Sequence, residues 1–160
     1  MEKTSYRTLN IVCVLALIGI VLWVAFYAVQ TYFVLTTGSG HGVINWGSPR
    51  MGLKLTIFTL NRATILLMAV LMAAFVVNIL KYLRGGTIFN RANVVLLWVM
   101  TIVLPIHSFI GDNMSIACSA SEHFDVVLTD SPFVYAMVAL IVALLYKLAY
   151  DAAQEQELTI

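Results

Sequence analysis

Four apolar runs nearly free of charge constrain this chain more than any other feature. They are roughly Ile11–Leu35, Ala63–Leu83, Val94–Gly111 and Phe133–Tyr150. The sequence holds nine basic and eight acidic residues, and only Lys81 and Lys147 fall inside a run, each near its end. An apolar stretch of about 18 or more residues with few or no charges is long enough to cross a bilayer as a helix. Four such runs in 160 residues leave no room for a soluble domain. The expected fold is an all-α membrane protein. A single four-helix transmembrane domain spans 1–160, with helices at about 9–35, 63–84, 92–111 and 132–152.

Composition agrees. The chain is 61% hydrophobic and 11% charged, where a soluble domain carries about a quarter charged residues. A net charge of +1 makes no case for direct nucleic-acid binding. Cys13 and Cys118 show no metal or redox spacing. With four crossings they fall on opposite sides of the membrane and stay unpaired. The first run differs from a secretory signal: it is longer than the roughly 7–15 residues of a signal core, and no small-x-small cleavage pattern follows it.

Basic residues near membrane segments stay on the cytoplasmic side. Lys3, Arg7, Lys81, Arg84, Arg91 and Lys147 share one side, and Arg50, Lys54 and Arg62 the other. The bias predicts cytoplasmic N- and C-termini. The last connection supports it, with Asp112, Glu122, Asp125 and Asp130 and no basic residue. Tyr6, Tyr32, Phe33, Tyr82, Phe89, Phe133 and Tyr150 lie near run ends, where amphipathic rings suit the headgroup layer.

Small residues recur at helical spacing: Ala16 and Gly19, Ala69 and Ala73, and Ala136, Ala139 and Ala143. Such residues let helix backbones approach closely in lipid, which predicts a compact bundle and is compatible with a homodimer. Gln30, Asn78 and His107 are the main polar residues within or beside the runs, and Pro105 should kink the third helix. His107 and Asp112 suggest a proton or metal site, against the plainer reading of an interfacial histidine bonded to a neighbour. No run has a central carboxylate, which argues against a proton-coupled transporter. No nucleophile motif or Cys-x-x-Cys argues for an enzyme. Neither a catalytic constellation nor a cofactor or metal site is expected; His41 and His123 lack diagnostic ligand spacing.

The connections on the non-terminal side carry strand-like stretches. Leu53, Leu55 and Ile57 alternate with Lys54 and Thr56, and Phe124–Thr129 is rich in β-formers. Their pairing predicts a small extracytoplasmic β element from the first and third connections.

Between the second and third runs the chain reads Lys81-Tyr82-Leu83-Arg84-Gly85-Gly86-Thr87-Ile88-Phe89-Asn90-Arg91-Ala92-Asn93, and it ends Gln154-Glu155-Gln156-Glu157-Leu158-Thr159-Ile160. The first stretch resembles the Gly-x-x-Phe-x-x-x-Asn pattern of a bacterial four-helix membrane family, domain of unknown function 2975. The second resembles that family's acidic segment closing in Glu-Leu-Thr-Ile. Length and helix layout match over essentially the whole chain; the sparse charge after Asn93 is a departure. Read physically, Gly85-Gly86 ends a helix and Asn90, or Asn93 if the helix starts later, caps the next. That is a tight helical hairpin by itself.

The resemblance implies a protein of the bacterial cytoplasmic (inner) membrane with a signalling role, a membrane-side sensor or anchor for a small helix-turn-helix regulator. The implied partner surface is Arg84, Gly86, Phe89 and Asn93 with Glu155, Glu157, Leu158, Thr159 and Ile160. The alternative is an immunity protein against a membrane-active toxin, binding through the outer connections. A small transporter or membrane enzyme fits least.

Overall fold

The computed structural model describes residues 3–36, 44, 46–83, 88–119, 121–123 and 125–158. Five helices form among them: α1 (Lys3–Thr36), α2 (Met51–Leu83), α3 (Arg91–Asp112), α4 (Met114–Cys118) and α5 (Ser131–Leu158). All but α4 are long and apolar enough to cross a membrane. Their outward faces carry large apolar side chains along the whole length, such as Leu22, Phe26, Leu66, Ile102 and Leu148. A soluble monomer rarely exposes a contiguous apolar surface of more than a few hundred Å²; a lipid-facing helix must.

The helices pack in chain order. α1 lies on α2, α2 on α3, and α3 on α5, while α1 and α5 make no close backbone approach among the described residues. The central core joins Met68 and Leu71 of α2, Leu97, Met100 and Val103 of α3, and Ala143 of α5, with Trp23 of α1 packed against them. Ala143 is fully buried there, where a small side chain admits the neighbouring helix. The Ala16 and Gly19 pair does not act this way: both face outward, and a Cβ added at Gly19 would meet no neighbouring helix within 4 Å. The face of α1 turned inward carries Cys13, Leu17, Ile20, Trp23, Val24, Tyr27, Thr31 and Val34 instead. Apart from the adjacent Trp23 and Val24, those positions recur at intervals of three and four, the spacing of one helix face.

Helix lengths create a second compartment. At 1.5 Å per residue, the 22 residues of α3 span about 33 Å, close to the roughly 30 Å hydrocarbon layer. The 33 residues of α2 span about 50 Å. Its opening turns rise past the end of α3, and α4 folds back onto them. Val34 of α1, Ile44, Phe58 of α2 and Ala117 of α4 close a small apolar cluster there. This cap stands at the end of the molecule opposite the chain termini.

The cap replaces the expected β element; no strand occurs among the described residues. Leu53–Ile57 is helical, because α2 starts twelve residues before the expected position 63. The buried positions of early α2 are Lys54, Phe58, Asn61, Ile65 and Met68. They follow a helical 4-3-4-3 spacing, but two are polar, so apolar periodicity alone shows only the incidental Leu-Leu-Ile alternation. In the last connection, residues 125–129 have no regular structure, and Val127 pairs with a side chain. Asn113 Oδ1 accepts from Val127 N at 2.8 Å and its Nδ2 donates to Val127 O at 3.0 Å. One amide thus satisfies the backbone groups that a partner strand would. Two other bounds also differ from expectation: α1 begins at Lys3, and α5 runs to Leu158 instead of stopping near 152. α3 continues through Pro105 to Asp112.

Candidate functional site

At the termini end, a polar hairpin joins α2 to α3. Asn90 is extended (φ −143°, ψ 151°) and its Oδ1 accepts from Asn93 N at 2.8 Å, capping α3. Asn93 is fully buried. Its Nδ2 donates to Phe75 O at 3.2 Å, and its Oδ1 accepts from Asn78 Nδ2 at 3.0 Å. Tyr146 of α5 closes the assembly: its hydroxyl donates to Ile88 O at 3.2 Å and accepts from Asn90 N at 3.4 Å. The Tyr146 ring meets Phe89 edge-on at 5.3 Å and Phe75 at 5.7 Å. Phe89 and Asn93 therefore build the hairpin. Asn93, with no exposed surface, is excluded from direct partner contact and instead ties the start of α3 to α2.

Of the other expected partner residues, Arg84, Gly86, Thr159 and Ile160 lie outside the described residues. Glu155 is exposed, and Glu157 and Leu158 continue the α5 backbone. Lys147 Nζ bonds Asp151 Oδ2 at 2.7 Å, an i,i+4 pair, where α5 leaves the apolar region. A depression of about 580 Å³ lies at the same end between α1 and α2, bordered by Tyr6, Arg7, Asn10, Leu80 and Leu83.

At the cap end, Lys54 is the organising residue. It is fully buried, and its ammonium donates to Ser48 Oγ at 3.0 Å, Ser119 O at 2.6 Å and Ser121 O at 3.2 Å. An ammonium has three donors, and all are used. Among the described residues no carboxylate pairs with it. Lys54 thereby ties the segment after α4 to the entry of α2. Arg50, just before α2, has φ 55°, and its carbonyl accepts from Leu53 N and Lys54 N.

Between cap and core, a cleft of about 400 Å³ opens where α1 and α5 fail to meet. Trp23, Met68, Met72 and Leu104 line it on the apolar side, and His107, Ser108, Asp112, Ser131 and Tyr135 on the polar side. His107 and Asp112 therefore border one space, but each has its own partner. His107 Nδ1 shares a hydrogen bond with Thr64 Oγ1 at 2.9 Å, and Asp112 accepts from Thr129 Oγ1. The plainer reading of His107, a bond to a neighbouring helix, describes what is seen. His41 lies outside the described residues and His123 is exposed.

Sequence reasoning passed over Lys54 and Arg62, reading both as charges of an outer loop. For Arg62 the signal was present: Phe58 lies four residues earlier on the same helix face. Comparison with protein-family profiles, curated proteins and solved structures finds no match for this chain.

Proposed function

We propose that this chain is a multi-pass protein of the bacterial cytoplasmic membrane, with both termini cytoplasmic, that holds a small helix-turn-helix regulator at its inner end and responds to conditions at its cap. The observation that carries this reading is the extent of α5. The helix runs about three turns past Lys147 to Leu158, and Gln154, Glu155 and Gln156 are exposed. An acidic helical extension suits competition with DNA for a basic protein surface. The depression beside Tyr6 and Arg7 lies at the same end of the molecule. The distribution of basic residues supports cytoplasmic termini, and the resemblance of the hairpin and tail to domain of unknown function 2975 supports the regulator as partner.

The test is co-purification from native membranes. The intact protein is expected to retain a helix-turn-helix protein, and deletion of Glu155–Ile160 to release it into the soluble fraction. Unchanged retention by the truncated chain overturns the reading.

One observation favours the immunity reading as the alternative. The connection before α5 presents Val126, Val127 and Leu128 outward, with Leu128 83% exposed, on a backbone fixed by Asn113. A fixed apolar ridge suits recognition of another membrane-active protein. Replacing Val126–Leu128 by serines abolishes toxin protection under that reading and leaves regulator retention intact under the first.

A further inference from the structure

Arg62 is held in an unusual setting for a cation. Its guanidinium sits over the Phe58 ring at 4.8 Å and the Tyr27 ring at 5.2 Å. Its Nη1 donates to Gln30 Oε1 at 3.1 Å. Its Nε is buried with no hydrogen-bond partner, and no carboxylate pairs with it among the described residues. Arginine carries five N–H donors in a rigid fork suited to phosphate and carboxylate. Partial burial of that charge without an anion is costly.

Its depth is informative. Counting along α2 from Lys81, which borders the termini end, Arg62 lies about 28 Å away, near the opposite edge of a ~30 Å hydrocarbon layer. Beside it, an apolar groove of about 320 Å³ runs between α1 and α2, lined by Val24, Tyr27, Ala28, Thr31, Ile65 and Leu66. The Thr31 hydroxyl donates to Tyr27 O at 2.7 Å, within its own helix. The groove lies on the outward flank, where Leu66 is 55% exposed. Among the described residues, α2 is the only spanning helix whose backbone closely approaches α1, and the groove lies on that pair's outer flank.

We propose that this groove is a binding site for an anionic phospholipid, with the phosphodiester on Arg62 and an acyl chain between α1 and α2. The charge sits at headgroup depth and the apolar groove sits beside it, which is the order of groups in a phospholipid. A soluble anion would leave the groove unfilled, and a zwitterionic lipid brings a second cation toward Arg62. The aromatic rings hold the guanidinium in place, which reduces what a bound phosphate must order. The proposal is independent of the regulator reading.

The test uses the full chain in nanodiscs of phosphatidylcholine doped with phosphatidylglycerol, released into the gas phase for native mass spectrometry. Wild type is expected to retain one phosphatidylglycerol in preference to phosphatidylcholine by about tenfold or more. Arg62→Gln removes the preference. Ala28→Phe, which fills the groove and keeps the charge, lowers retention of either lipid, so the claim survives if one variant fails to fold. Added oleate leaves the retained phosphatidylglycerol in place. Equal retention of the two lipids by wild type, an undiminished preference in Arg62→Gln, or unchanged retention by folded Ala28→Phe overturns the proposal. Displacement by oleate overturns it in favour of a free fatty acid.

Discussion

Two fully buried polar side chains, Lys54 and Asn93, fix the opposite ends of the molecule. Lys54 donates to two backbone carbonyls and a serine hydroxyl, and Asn93 to the Phe75 carbonyl; an unmade buried hydrogen bond costs more than a made one gains. Lys54→Met keeps the apolar stem and removes three bonds. It should lower stability by about 3 kcal/mol, given ~1.5–3 kcal/mol per bond to a charged group and partial rehydration of the freed acceptors. Equilibrium unfolding in mixed micelles measures this, and a loss under about 0.5 kcal/mol, the usual range for a surface change, contradicts the cage. Asn93→Ala should cost about 1–2 kcal/mol, the range for interhelical bonds in lipid. Asn78→Ala should then add little in that background, because the two amides share one bond. Full additivity would show the pair to be uncoupled.

At the scale of elements, Asn113 acts for residues 125–129 as a neighbouring strand would. Asn113→Ala should raise amide exchange at Val127 about tenfold or more while leaving helical content unchanged. Unchanged protection there would mean that other contacts hold the segment. The spanning helices themselves were legible because length and lack of charge suffice to identify them. The Asn90 cap was legible for a similar reason: a single side chain and its local geometry decide it. The start of α2 was not. Its buried face includes Lys54 and Asn61, so burial and hydropathy diverge where α2 enters the cap. The packing face of α1 was equally hidden, since an all-round apolar helix gives no contrast between lipid and protein. The small residues Ala16 and Gly19 misled for that reason, whereas Ala143, on a helix with a protein neighbour, did not.

For the whole molecule, the serial order of α1, α2, α3 and α5 leaves, among the described residues, an open seam between α1 and α5 and a groove between α1 and α2, and it separates an organised cap from a helical tail. Candidate functions divide along the same axis, with recognition at the cap or regulator binding at the tail. Because Gln154, Glu155 and Gln156 are exposed, deletion of Glu155–Ile160 should change unfolding free energy by no more than about 0.5 kcal/mol. A larger loss would assign the tail to the fold. The central claim is that cap and tail lie on opposite sides of a bilayer, with the tail in the cytoplasm. Cysteine labelling tests it most directly, in a background carrying Cys13→Ala and Cys118→Ser. In intact spheroplasts, a membrane-impermeant maleimide should label Leu128→Cys at once and Gln154→Cys only after lysis. Labelling of Gln154→Cys in sealed cells, or protection of Leu128→Cys, would contradict the account.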